Sequence, residues 1–273
     1  IDNSTFNSTN IDGNISNGGD WTVTNGSTIT INHCGSYGLS VNSLTTEQST
    51  VNISGTSYSA IYGKDLQFKN GSNVLISGAG TQLSFESTSS AAKSPLQTHK
   101  DGGTLVVDSG ATVTVRDCVD KNGKANNTIY LPNNTTYTNN GTVNATIITD
   151  AAPEGSCVVT LVSDGKTIGV QTVAKDSVFT LPAAPKKNNY TFNGWYDGSK
   201  FYAAGASYTV SATVTLNAFW SYISSGSSSY VPTYSVSTPS KTENGSVTVS
   251  PKNASKGDTV TVTVKPDSGY VLE

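Results

Sequence analysis

One short motif of alternating apolar and polar residues returns along the first half of this chain at nearly constant spacing. It reads Gly26-Ser27-Thr28-Ile29-Thr30-Ile31, then Gln48-Ser49-Thr50-Val51-Asn52-Ile53, Gly71-Ser72-Asn73-Val74-Leu75-Ile76 and Gly110-Ala111-Thr112-Val113-Thr114-Val115, with a weaker copy at Asn140-Gly141-Thr142-Val143. The first two intervals are 22 and 23 residues. Periods in this range are the mark of stacked-repeat architectures, because one repeat cannot bury its own apolar stripe and must lean on the next. Around each copy lie further two-apolar pairs: Trp21/Val23, Leu66/Phe68 and Leu105/Val107 before it, Leu39/Val41, Ala60/Ile61, Leu83/Phe85 and Ile129/Leu131 after it. Three short period-2 strands per repeat, punctuated by Gly, Asn and Ser, predict a right-handed parallel β-helix with three faces.

Composition decides between order and disorder. Ser, Thr and Asn supply 101 of 273 residues, and charged residues only 13%. Disordered chains carry high net charge and few β-branched residues. Here the net charge is −3, and Val, Ile and Thr recur in ordered runs. A pI near 5.4 and a single arginine, Arg116, argue against nucleic acid, which needs concentrated Lys and Arg. No apolar run approaches the ~20 residues that span a bilayer. The chain starts at Ile1 and contains no Met, so it reads as a processed or truncated fragment, and the absence of a signal peptide says nothing about export.

The third interval, 39 residues, breaks the period. The excess falls after Leu83/Phe85, which makes residues 86–103 a long excursion, and residues 117–128 form a second. In solenoids such insertions become wall loops, often on the binding face. The pattern changes at the linker-like Thr149-Asp-Ala-Ala-Pro153-Glu-Gly155, and a Ser-rich linker follows at 221–232. The expected domains are therefore residues 1–150, 156–221 and 233–273.

The second segment resembles the Listeria–Bacteroides repeat, the B-repeat of internalins and many Gram-positive surface proteins. The matching residues are Val158-Val-Thr-Leu161, Val178-Phe-Thr-Leu-Pro182, Pro185, Tyr190-Thr-Phe192-Asn-Gly194-Trp195-Tyr196 and the closing Val214-Thr-Leu216-Asn-Ala218-Phe219-Trp220. Asn188-Asn189 stands where the family usually has a Gly. The resemblance implies a small β-grasp-like spacer or adhesion module without enzymatic activity. Residues 233–273, with Asn244-Gly-Ser-Val-Thr-Val-Ser-Pro251 and Lys256-Gly-Asp258-Thr-Val, look like part of a second bacterial surface repeat. Such repeats often precede S-layer homology domains, which implies anchoring to the cell wall through a region outside this chain and an extracellular, surface-attached setting. The first half resembles β-helix proteins at large, which include pectin-cleaving enzymes as well as adhesins, so fold alone does not assign function.

Glycoside hydrolysis needs two carboxylates around one bond, and lyases need Ca²⁺-binding acids with a basic proton acceptor. The carboxylates of residues 1–150 read as scattered, with no shared column. The nearest constellation is Arg116, Asp117, Asp120 and Lys121, with His99 and Asp101 from the earlier excursion. The candidate ligand-binding residues are His99, Lys100, Asp101, Arg116, Asp117, Asp120 and Asn122; no residue is assigned to catalysis or to a metal site. Asp117-x-x-Asp120-x-Asn122-Gly123 offers hard oxygens for Ca²⁺, the one cofactor considered, but lacks EF-hand spacing and carries Lys121 and Lys124. Cys34 and Cys118 each stand six residues after the Thr that starts the motif, so they share a column with Thr56 and Ala79 between. Three steps of ~4.8 Å separate them, too far for a disulfide, and three reduced, buried cysteines are expected. Trp195, Tyr196 and Trp220 read as the core of the second segment.

The leading expectation is a non-catalytic surface protein whose polar wall and loops bind a polysaccharide or a host or cell-surface ligand, with the small repeats as spacers. A β-helix polysaccharide lyase or hydrolase and a purely structural stalk are the alternatives.

Overall fold

The pairing register of the first half follows the repeat. In the computed structural model, which describes residues 1–83, 93–184, 186–223, 233–239 and 242–272, every regular element is a β-strand. The chain divides into two compact units, Ile1–Ser221 and Tyr222–Glu273.

Three parallel ladders organise the first unit. The first joins Thr5–Ile11, Thr28–Cys34, Thr50–Ser54, Asn73–Ser77, Thr112–Arg116 and Thr142–Asn144, each strand parallel to the next. Thr28 pairs with Thr50, Thr50 with Asn73, Asn73 with Thr112 and Thr112 with Thr142, the alignment given by the sequence motif. The second ladder runs Ser16–Asn17, Leu39–Val41, Ile61–Gly63, Leu96–Thr98, Thr128–Leu131 and Thr146–Thr149. The third runs Asp20–Val23, Ser43–Thr46, Asp65–Phe68, Gly103–Val107 and Thr135–Asn139.

Leu39–Thr46 and Ile61–Phe68 each serve the second and third ladders in one continuous strand. They turn the corner between the two ladders around Gly63. A Cβ there would meet Leu66 Cδ2 at 2.6 Å and Val41 Cγ2 at 2.8 Å, so the bend needs a residue without one.

Strand alternation sends one set of side chains inward. Ile29, Ile31, Val51 and Ile53 from the first ladder, Leu39, Ile61, Leu96 and Ile129 from the second, and Leu44, Leu66, Phe68 and Leu105 from the third share one buried cluster. Burying each such side chain contributes roughly 1.5–3 kcal/mol, and this gain holds together strands that are each only a few residues long.

The expectation for the excursion needs correction. Leu96-Gln97-Thr98, inside the segment read as excursion 86–103, is the second-ladder strand of its repeat, paired with Ile61–Gly63 on one side and with Thr128–Leu131 on the other. Leu83, expected in that place, is buried outside any strand, and Phe85 lies outside the described residues. The described residues between Ser77 and Leu96, 78–83 and 93–95, form no strand, and residues 84–92, most of the rest of the expected excursion, lie outside the described residues. Pro95 opens the strand without an N–H, and its carbonyl accepts from Ala60 N (2.7 Å) and Ile61 N (3.2 Å).

After Thr149 the strand pairing changes. Ser156–Ser163 and Lys166–Ala174 form an antiparallel hairpin across Asp164-Gly165, whose φ angles of 49° and 74° suit a tight two-residue turn. Ser156–Ser163 also pairs in parallel with Val214–Tyr222. Cys157, Val159, Leu161, Leu181, Trp195, Val210 and Leu216 make a second core here. Alternation along Ser156–Ser163 splits its loyalties, since Val158 points instead into the core of the ladders.

The hairpin extends the sheet of the third ladder. Lys166–Ala174 lies antiparallel to Thr135–Asn139, the last strand of the third ladder, with Tyr137 opposite Val170 and Thr138 opposite Gly169. Val170 and Val158, both 6% exposed, belong to the ladder core. A parallel ladder otherwise ends on bare N–H and C=O groups, a template for unwanted pairing. Here the hairpin occupies that edge.

In the second unit, Thr233–Ser235 pairs with Asn253–Ser255, and Gly245–Ser250 with Thr261–Pro266, both antiparallel. The Ser-rich linker's residues 224–232 lie outside the described residues.

Candidate functional site

The seven candidate residues fall at two different corners. His99, Lys100 and Asp101 make the turn from the second ladder to the third, closed by Gly102 N donating to His99 O at 2.9 Å. Lys100 Nζ meets Asp101 Oδ1 at 2.7 Å, and His99 Nδ1 lies 3.4 Å from Asp101 Oδ2. The Lys100 hydrogen bond holds the Asp101 carboxyl below its ordinary value. Arg116 ends its first-ladder strand, and Asp117, Asp120 and Asn122 sit on the loop that follows, toward the second ladder. Among the described residues, the ion pair of Arg116 is with its neighbour Asp117, at 2.8 Å, and both are well exposed. Among the described residues, no recorded hydrogen bond or ion pair links one group to the other.

Asp120 is used by its own loop. Its Oδ1 accepts from Asn122 N (2.9 Å) and Lys124 N (3.0 Å), while its N–H donates to Lys124 O. That Asx-type turn engages one of the two carboxylate oxygens. Among the described residues, no group of three or more His, Cys, Asp or Glu is placed to hold a metal. The same loop is bonded to Leu83 and Lys93: Lys121 N donates to Leu83 O (2.9 Å), and Asn126 Nδ2 to Lys93 O (3.2 Å).

Around His99 the structure gathers residues that the motif alignment passed over. Tyr37 and Tyr58, one repeat apart at the corner between the first and second ladders, stack with ring centroids 5.6 Å apart and planes 22° off parallel. Tyr62, on the outer side of the second ladder, lies 5.5 Å from Tyr37 and 5.5 Å from His99. Backbone bonds hold the file in place: Tyr58 N to Ser36 O (3.2 Å), His99 N to Gly63 O (2.9 Å) and Tyr37 N to Asn14 Oδ1 (3.2 Å). A signal was present in the sequence, since Ser36-Tyr37 and Ser57-Tyr58 recur 21 residues apart, one short of the 22-residue repeat interval.

The outer column of the same ladder continues from Tyr62 through Gln97 to Tyr130. Gln97 Oε1 accepts from Lys93 N at 2.7 Å, and Gln97 is fully buried. Lys93 Nζ donates to Tyr130 Oη (3.1 Å) and lies 3.6 Å from Asp150 Oδ1, to which Tyr130 Oη donates at 2.6 Å. Burial, and then the Asp150 carboxylate, push the Tyr130 phenol well above its ordinary range. Lys93, Tyr130 and Asp150 therefore form a closed, charge-assisted knot that ties Lys93 to the second ladder.

One expectation about acids is overturned by the register. Asp20, Ser43, Asp65 and Thr104 share a column on the outside of the third ladder. Ser43 Oγ donates to Asp20 Oδ1 (2.8 Å) and Thr104 Oγ1 to Asp65 Oδ1 (2.9 Å). Two strand spacings put the two aspartates ~9.6 Å apart along the column. Both are exposed.

All three cysteines are buried and free. Ser57 N bonds to Cys34 O and Gly80 N to Thr56 O, so the column through Cys34, Thr56, Ala79 and Cys118 climbs one strand at a time. Ala79 N approaches Cys118 Sγ at 3.4 Å. Burial raises the Cys34 and Cys118 thiols.

In the segment after Thr149, Trp195 is fully buried, with Nε1 donating to Pro182 O at 2.7 Å. Tyr196 and Trp220 are only half-buried. Tyr196 stacks on Phe201 (4.6 Å), which meets Phe219 (5.1 Å) at the surface. The Asp197 carboxylate caps a turn, accepting from Lys200 N and Ser199 N, both at 2.8 Å, and its pKa is lowered to about 2.

Residues 158–219 match the Listeria–Bacteroides repeat domain, and residues 234–273 match the divergent InlB B-repeat domain. Repeats of the first type are typical of extracellular or surface proteins and are generally non-enzymatic modules, a context compatible with a non-catalytic surface role. No curated protein and no solved structure matches the chain.

Proposed function

We propose that this chain is part of an extracellular, surface-attached protein of a Gram-positive bacterium, and that it binds rather than cleaves its ligand. In this reading the three ladders are the faces of a right-handed parallel β-helix spanning residues 1–150. The repeats at 156–221 and 233–273 then hold it away from the envelope. The ligand is a polysaccharide or a host or neighbouring cell surface, and His99, Lys100, Asp101, Arg116, Asp117, Asp120 and Asn122 remain on the faces offered to it.

One observation supports the reading most: the surface-type repeat is continuous with the ladders through the Tyr137–Val170 pairing rather than hung on a free linker. Stacked strands present a long, flat wall at low mobility, and a spacer hydrogen-bonded to that wall transmits its orientation.

Binding of the labelled, folded chain to a glycan array, to host matrix proteins and to intact cells tests the reading. Saturable attachment to at least one of them is expected. Absence of attachment to all three, with the fold intact, would leave a structural stalk as the function.

The Asp20–Asp65 column favours a second reading. Its ~9.6 Å spacing lies at the edge of the carboxylate separation used by inverting glycosidases, ~6.5–9.5 Å. Against it, each carboxylate is engaged by a neighbouring hydroxyl on an open outer face. Inverting chemistry needs one of the pair as a general acid, which calls for a sheltered site.

A further inference from the structure

We infer that Tyr37, Tyr58, Tyr62 and His99 form a stacking platform for a carbohydrate chain, with Lys100 and Asp101 supplying polar contacts at its end. The inference rests on the surface-binding reading above and narrows it to one site and one ligand class.

The geometry carries the choice of site. The rings sit on three successive repeats, with Tyr58 and Tyr62 on the middle one, and neighbouring centroids lie 5.5–5.6 Å apart. Tyr58 is 38% exposed, and Tyr37, Tyr62 and His99 are half-buried, so each presents part of a ring while its backbone is hydrogen-bonded into the wall. Such rings lose little freedom when a ligand arrives, which is the condition for useful affinity on an open surface. Outward Thr, Ser and Asn side chains fill most of the other two ladders, so this file is an aromatic exception on a polar wall.

The surroundings carry the choice of ligand. A sugar ring shows an apolar C–H face edged by hydroxyls, and needs an aromatic face edged by donors and acceptors. Ser36 and Ser57 flank the rings, and the Lys100–Asp101 pair closes the end of the file beside His99. An apolar protein partner would want a contiguous patch of a few hundred Å², which a single file of half-buried rings does not offer. Nucleic acid bases also stack on aromatics, but their backbone needs a cationic groove. The nearby cations are Lys64 and Lys100, in a chain of net charge −3.

The test is affinity electrophoresis of the full chain through gels carrying arabinoxylan, polygalacturonate or hyaluronan, a panel spanning neutral, uronate and amino-sugar chains. Titration with oligosaccharides of the retarding polymer follows. At least one polymer retards the protein. Tyr58→Ala and Tyr62→Ala each weaken binding about tenfold, the scale of one lost aromatic contact. Tyr62→Phe keeps the ring and keeps the affinity, and far-UV circular dichroism of every variant shows that the sheets survive.

No retardation by any of the three polymers overturns the carbohydrate platform, while attachment to cells or matrix proteins would leave the surface-binding reading standing. Retardation that Tyr58→Ala and Tyr62→Ala leave unchanged overturns the platform alone and places the sugar elsewhere on the chain.

Discussion

Replacing Val170 by Asp should unfold the junction between the ladders and the repeat that follows them. Val170 is 6% exposed, lies opposite Tyr137 and joins the ladder core together with Val158. Losing its burial removes roughly 1.5–3 kcal/mol, and leaving a carboxylate in its place adds several kcal/mol of desolvation. The sum, about 4–6 kcal/mol, is a large share of the ~5–15 kcal/mol that holds a domain folded. With a urea dependence of about 2 kcal/mol per molar, the midpoint should fall by about 2 M or more. Two probes are informative together: fluorescence of Trp195, buried in the repeat and read in a Trp21→Phe, Trp220→Phe background, and far-UV circular dichroism, dominated by the ladders. Both transitions should move down in concert, because one strand pairing serves both cores. Val178→Asp is the control. Val178 is 66% exposed, and its change should stay within ~0.5 kcal/mol. If Val170→Asp matched Val178→Asp, or shifted the Trp195 transition alone, the hairpin would not be closing the ladder edge.

Other consequences are equally concrete. Gly63→Ala forces a Cβ to within 2.6 Å of Leu66 Cδ2, and overpacking at that bend should cost about 1–3 kcal/mol in a urea melt. Gly13→Ala, with open space around it, should melt like the parent. The buried thiols of Cys34 and Cys118 should react with a thiol reagent only as the protein unfolds, and native labelling at the unfolded rate would contradict their placement. The Asp197 carboxyl drops from 3.8 to about 2 because the turn amides stabilise its charged form. Its contribution is therefore complete above the unfolded value and is lost as pH falls through about 2. An NMR titration of the Asp197 carboxyl should give that low midpoint, and Asp197→Asn should flatten the acid limb of the melting curve.

The register of the first ladder was legible because Thr28, Thr50, Asn73 and Thr112 head strands of strict inward–outward alternation, each opened by a small or turn-forming residue. Buried apolar columns need that alternation, so it is written into the residues. The second ladder was harder to read. Leu96-Gln97-Thr98 is only three residues long, follows Pro95, and carries its glutamine under a loop rather than toward water. The acid column through Asp20 and Asp65 was missed for a related reason: outward positions are not constrained by the core, so Ser43 and Thr104 interrupt any pattern of charge. The aromatic file escaped because Tyr37 and Tyr58 stand at a corner, where alternation lapses. The junction was invisible because it is made by main-chain bonds between Tyr137–Thr138 and Gly169–Val170, and such bonds leave little trace in side-chain identity. The turn-capping use of Asp120 was not legible, because the same carboxylate chemistry that binds ligands also accepts from turn amides, and the sequence does not separate the two.

We propose that this wall binds and does not cut. The full chain should be incubated with arabinoxylan, polygalacturonate and hyaluronan, with and without Ca²⁺, while polymer length and new reducing or unsaturated ends are followed alongside retention on the same polymer. The account predicts retention that depends on Tyr58 and Tyr62, with chain length unchanged. Release of shortened products, abolished by Asp20→Asn or Asp65→Asn, would contradict it.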